Sequence, residues 1–141
     1  MDIFTADKRS QVMSRVRGKD TAPEMTVRRY LHGRGLRFRL HGKGLPGKPD
    51  IVFASRRVVL FVHGCFWHGH VGCRRATLPA TRREFWEHKI RSTVHRDVKI
   101  RQTLEDAGWT VLIIWQCELS SQKLVSLGDL IAATPTSRMA V

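Results

Sequence analysis

The chain has 141 residues, enough for one domain with a real core, and its 42% apolar and 26% charged content excludes a disordered polymer. The charges are lopsided: 25 Lys and Arg against 12 Asp and Glu give a formal +13, a field that favours polyanions such as nucleic acid. The longest apolar runs, "VVLFV" and "VLIIW", are too short to span a bilayer, no apolar leader opens the chain, and three cysteines cannot all pair internally, so a cytoplasmic, nucleoid-associated protein with reduced thiols is expected.

Residues 6–17, "ADKRSQVMSRVR", carry weak helical periodicity and a basic face. With the "GKD" break they make up residues 1–20, a basic N-terminal segment expected to contact DNA. "TAPE" opens a helix well: Thr21 suits the N-cap, Pro23 the first turn, and Glu24 stands three residues after the cap. That helix is expected to reach His32 and stop at Gly33 and Gly35. "LRFRL", 36–40, alternates apolar and basic residues and reads as a half-buried strand. "HGKGLPGKP" is a loop. "DIVFA" and "VVLFV" are β-branched runs separated by "SRR", a hairpin signal. Then comes the loop "HGCFWHGHVGC", 63–73, continuing to Pro79. Residues 81–107 predict a long helix with Ile90, Val94 and Val98 on one side, ended by Gly108. "WTVLIIW", 109–115, reads as a buried strand with Trp109 and Trp115 in the core, and a short helix is expected over 120–132. Residues 21–133 therefore form one domain and 134–141 a flexible tail. The order predicts an α/β fold, a mixed sheet flanked by helices, in which strand 58–62, the long helix and strand 109–115 make a right-handed βαβ crossover.

A hairpin turn centred on Arg56 would pair Ala54 with Val58 and Asp50 with Val62, setting the Asp50 carboxylate beside His63. A "PD" step opening a hairpin looks like the first half of the restriction-endonuclease-like nuclease pattern. The acid and lysine of that pattern are missing from the second strand, "VVLFVHG", so histidines would have to replace the lysine. The plainer reading of Asp50 is a strand-start aspartate. In the loop, Cys65, His70 and Cys73 follow C-x4-H-x2-C, and Cys117 follows the last strand. Four such donors make a closed structural zinc site, with His68 as the competing histidine ligand. The bland alternative is buried free thiols and solvated histidines. Histidines left over beside a carboxylate suit general acid–base work. Taken alone, Glu24 reads as a capping-box residue, Trp86 and Met13 as helix packing residues, and Asp97 as a salt-bridge partner on the long helix. Phe66 and Trp67 stand out because a Gly-flanked polar loop is a poor place for core aromatics.

"VHGCFWHGHVGC", with "LPGKPDIVF" and "VMSRVRGKDTAPE" before it and "FWEHKI" and "VLIIWQC" after it, resembles the very-short-patch repair (Vsr) endonucleases over about residues 7–130. The resemblance implies a restriction-endonuclease-like core, a structural zinc, and Mg²⁺-dependent nicking of double-stranded DNA on the 5′ side of the thymine in a T·G mismatch left by 5-methylcytosine deamination. It implies zinc on Cys65, His70, Cys73 and Cys117, resolving the choice between His68 and His70. It implies Mg²⁺ on Asp50 and the Val62 carbonyl, a catalytic His68, and Glu24, His63 and Asp97 in the same site. Phe66, Trp67 and Trp86 would wedge into the mismatch from the major groove and Met13 from the minor groove. Lys89 and Thr93 would help read the mismatch; Thr93 stands where the family usually has Asn, and Gln116 where it usually has Glu. A family member acts as a monomer, with mismatch-repair proteins as further partners and no membrane.

Two other functions compete. A zinc-stabilised, non-catalytic DNA-binding module explains the charge and the cysteines, but not Asp50 beside spare histidines. Another restriction-endonuclease-like nuclease explains the core, but not the Phe66–Trp67 pair.

Overall fold

The computed structural model describes residues 20–136. The helix expected over 6–17, with Met13 and all of the N-terminal segment but Asp20, lies outside the described residues, as do residues 137–141 of the tail.

Helix α1, Ala22–Gly33, begins as its sequence asks. The Thr21 Oγ1 accepts the Glu24 N–H at 3.3 Å, and a proline occupies the first turn. Only half of a capping box forms, because the Glu24 carboxylate accepts the N–H of Asp20 rather than that of Thr21. The helix ends at Arg34, and Gly35 follows with φ +84. Val27 and Leu31, four residues apart, are its fully buried stripe.

Four strands form one sheet in the order β1 (Arg39–Leu40), β2 (Ile51–Phe53), β3 (Val58–His63), β4 (Thr110–Trp115). β1 and β2 pair antiparallel, as do β2 and β3, and β3 and β4 run parallel. Parallel neighbours need a crossover, supplied here by helix α2, Arg83–Asp106. Helix α3, Ser121–Ala133, follows, capped by the Ser120 hydroxyl. Alternation along β3 sorts the core into two faces. Val58 and Leu60 join Ile51, Phe53 and Ile114 against Val27 and Leu31 of α1 and Leu124 and Ile131 of α3. Val59 joins Val52 and Val111 against Leu104 of α2. The molecule is thus a mixed α/β sheet with helices on both faces, as expected. Among the described residues no helix is long and apolar enough to cross a membrane.

Several local expectations are corrected. The first strand pairs over only two residues, both exposed, because β2 offers just three; Leu36 is buried without pairing. The hairpin register differs by one: Ile51 faces Leu60 and Phe53 faces Val58. A 3-10 turn, Ala54–Arg56, followed by Arg57 at φ 57 makes the turn one residue longer than a turn centred on Arg56. Asp50 precedes β2, so strand alternation does not bind it, and its Oδ2 still accepts the Val62 N–H at 2.7 Å. On α2 the stripe expected at Ile90, Val94 and Val98 is buried only at Ile90, with Val98 63% exposed. Burial continues instead through Trp86, Ile90 and Leu104. Trp109 and Trp115 are half-buried rather than core, because β4 is an edge strand.

The loop carrying Asp50 is held against α2 at Gly47, which has φ +72 and would place a Cβ 2.6 Å from Ile100 Cγ2. Gly47→Ala is therefore expected to destabilise the fold by about 1–3 kcal/mol, read as a lower urea midpoint. An unchanged midpoint would mean that Ile100 yields freely.

Candidate active site and metal cage

The C-terminal ends of β3 and β4 point the same way, and the polar residues of interest gather there. His63 ends β3 and is paired in register with Trp115, which ends β4. Beyond His63 the chain turns through a loop tied by its own backbone: His68 N–H to Gly64 O at 3.1 Å, and His70 N–H to Cys65 O at 3.0 Å. Gly69, at φ +59, lets this loop lie flush on α2, since a Cβ there would stand 2.8 Å from Ile90 Cγ2.

Cys65, His70, Cys73 and Cys117 come together, with one donor atom from each all within 4.8 Å of one another. The His70 Nδ1 to Cys117 Sγ distance is 3.4 Å. Ligand bonds of about 2.0–2.3 Å in a tetrahedron need donors about this close, and three sulfurs with one imidazole are the donor chemistry of a structural zinc site. The fit is therefore good. The thiols differ in environment. Burial pushes the Cys65 thiol up to about 11. Burial acts the same way on Cys73, but the Arg75 backbone N–H, His70 and the other thiols outweigh it and bring Cys73 down to about 7.

His63, His68 and Asp97 form a second group. His68 Nδ1 stands 2.6 Å from Asp97 Oδ2. A carboxylate in that position holds the Nδ1–H tautomer and leaves Nε2 with its lone pair. His63 stacks flat on His68, with ring centroids 3.7 Å apart and planes 3° from parallel. It is 5% exposed, its Nδ1 has no hydrogen-bond partner, and burial, then the neighbouring His68, lowers its pKa to about 4. His63 is thus a neutral ring at physiological pH.

Asp50 and Glu24 form the third. Asp50 accepts the N–H of Val62, one residue before His63. Burial raises the Asp50 pKa; the Val62 N–H opposes this, and the adjacent Glu24 carboxylate adds to it, leaving about 7. Glu24, only 1% exposed, pairs with Arg28, which also pairs with Asp20 and approaches His41 Nε2 at 3.1 Å. Two carboxylates crowded at a half-buried position fit a divalent cation. Arg28 and His41 were missed in the sequence. The four-residue spacing from Glu24 to Arg28 was a usable signal, whereas His41 had none.

Phe66, Trp67 and Trp86 also meet, as mutually edge-on rings with centroids 5.3 to 5.9 Å apart. Trp86 is the buried base of this cluster, 6% exposed, with Phe66 and Trp67 half-exposed above it. Lys89 is exposed, and the Thr93 hydroxyl donates to the Lys89 carbonyl at 3.1 Å. Met13 lies outside the described residues.

A family profile described as DNA mismatch endonuclease Vsr matches residues 1–75. The chain is 54% identical over 119 residues to the type II nicking enzyme V.XorIIP of Xanthomonas oryzae pv. oryzae, covering 84% of this chain and 87% of that protein. It is 43% identical over 122 residues to the DNA mismatch endonuclease Vsr of Escherichia coli K12, covering 86% and 78% respectively. It is 42% identical over 123 residues to the type II nicking enzyme V.NmeAIP of Neisseria meningitidis, covering 87% of each. With a profile spanning half the chain and relatives this similar over most of their length, the chain belongs to the family of the DNA mismatch endonuclease Vsr.

Proposed function

We propose that this protein is a Mg²⁺-dependent endonuclease that nicks double-stranded DNA 5′ of the thymine in a T·G mismatch, on a restriction-endonuclease-like core with a structural zinc. The observation that carries the reading is the His68–Asp97 pair, 2.6 Å apart, at the same end of β3 where Asp50 meets Val62. Residues 21–133 are the nuclease domain, and residues 1–20, with Met13, are the arm on the minor-groove side. The enzyme acts as a monomer in the cytoplasm, where mismatch-repair proteins share its substrate.

Asp50 and the Val62 carbonyl would hold Mg²⁺, which supplies neutralisation of the charge developing on the scissile phosphate. Glu24 lies beside Asp50 and is held by Arg28, so it adds fixed negative charge on the cation's side of the site. His68 accepts a proton from the attacking water at Nε2, while Asp97 stabilises the imidazolium that results. His63, neutral and stacked beneath it, keeps the His68 ring plane. Phe66 and Trp67, backed by Trp86, enter the stack beside the mismatched pair, where unstacking costs least. Lys89 and Thr93 face the same substrate from α2. Thr93 already uses its hydroxyl on Lys89, so it reads the mismatch with less reach than an asparagine. Cys65, His70, Cys73 and Cys117 hold zinc and fix the loop.

Three outcomes are expected. His68→Ala should cut nicking of end-labelled T·G duplexes by about 10²–10⁴-fold while leaving mismatch binding intact; loss of binding as well would make His68 structural. Mg²⁺ must displace the proton that Asp50 holds up to about pH 7. The Mg²⁺ concentration for half-maximal rate should therefore rise roughly tenfold for each pH unit below that point and level off above it. A requirement flat from acid to neutral pH would remove Asp50 as the ligand. Purified protein should carry a single zinc ion per chain, and stripping it should weaken the near-ultraviolet circular dichroism to which Trp67 of the loop contributes; a metal-free sample with native spectra would refute the cage.

A further inference from the structure

Trp115 closes β4 among apolar residues and looks like a packing residue. Its neighbours are more particular. One face lies flat on the His70 imidazole, with centroids 4.0 Å apart and planes 5° from parallel. On its other flank it meets His63 nearly perpendicularly, with centroids 5.0 Å apart and planes at 77°. His63 in turn lies flat on His68, whose Nδ1 is held by Asp97. Four rings therefore run in unbroken contact from the metal cage to the imidazole that does the chemistry. The arrangement is set by the backbone: Trp115 and His63 are register partners on parallel strands, so neither can shift without breaking the ladder.

We propose that Trp115 is a positioning residue for the reaction, holding the plane of His68 through His63 and itself held flat by His70 of the cage. The inference rests on His68 being the catalytic group. Its physical content is that the column has no slack. Among the described residues His63 has no hydrogen bond at Nδ1 to orient its ring, and the rings of Trp115, His68 and Phe61 lie against it. Without the indole, His63 can rotate into the space left behind. His68 then loses the flat surface behind it while keeping its bond to Asp97, and its Nε2 swings relative to the water it must deprotonate. A misplacement of about 1 Å at such an atom can cost about 10²-fold in rate. The cage thereby serves the chemistry as well as the fold: metal binding fixes His70, and His70 fixes the column.

The test uses the full chain with three changes. Trp115→Leu removes the ring, Trp115→Phe keeps a flat one, and His70→Cys keeps a four-ligand cage while deleting the imidazole that Trp115 rests on. Zinc content, binding to T·G duplex, single-turnover nicking, and the nitrogen–proton signal of the His68 Nδ1–H bond to Asp97 are read for each. Trp115→Leu and His70→Cys should keep zinc and DNA affinity, lose about tenfold or more in nicking rate, and shift or broaden the His68 signal; Trp115→Phe should stay within about threefold of the parent. Parent-like rate and signal in both zinc-loaded variants would overturn the proposal. So would loss of zinc in both, which would make Trp115 merely a wall of the cage. If the parent itself fails to nick T·G duplex, the functional reading falls, and the imidazole spectra alone still decide the role of Trp115.

Discussion

The pairing of β3 with β4 is the constraint on which the site depends. Six residue pairs, from Val58 with Thr110 to His63 with Trp115, hold two strands in parallel so that both release their chains at the same end. Cys65 follows His63 by two residues and Cys117 follows Trp115 by two, so the ladder itself delivers two donors of the cage to one place. Parallel pairing requires α2 to cross between the strands, and that crossing brings Asp97 over the end of the sheet to meet His68. A slip of one residue in this ladder would separate cage, histidines and acid together.

Electrostatics at the other side of the site follow from burial. Glu24 is almost fully enclosed beside Asp50, which would be costly for an isolated charge. Arg28 supplies the compensation one helical turn later and ties in Asp20, just before the helix. Asp50 forms no such ion pair among the described residues; the Val62 N–H and the charge of Arg28 do not outweigh burial and the neighbouring Glu24 carboxylate, and its pKa stays raised to about 7. The two neighbouring acids thus differ in kind: Glu24 is paired with an arginine and Asp50 is not.

Much of this was legible because it is local. The N-cap at Thr21, the stop at Gly35, the β-branched hairpin and the C-x4-H-x2-C spacing are short-range signals, and each is found where the residues put it. The hairpin register was not legible, because it turns on Arg57 adopting a left-handed backbone that no residue type there demands. Val94 and Val98 matched helical periodicity but stay exposed: Ile90 and Val94 meet the loop at Gly69, and the helix buries Leu104 further along. Trp115 sat in an apolar run, and periodicity assigns such a residue to the core; that its ring would lie flat on His70 of a distant loop and meet His63 edge-on is set by tertiary contact alone. Trp86 carried both readings, and in the structure its ring is buried while still backing Phe66 and Trp67.

The spacing of the cage donors along the chain has a kinetic consequence. Cys65, His70 and Cys73 lie in one loop, but Cys117 is reached only after the whole of α2 and β4. Closing so long a segment is entropically unfavourable until sheet pairing has already brought its ends together. Cys117 therefore joins the other three donors late in folding, and so does Trp115, which the same strand carries to His70. The grouping of His63, His68 and Asp97 at the end of β3 likewise waits on α2, so both clusters are assembled only when the topology is complete.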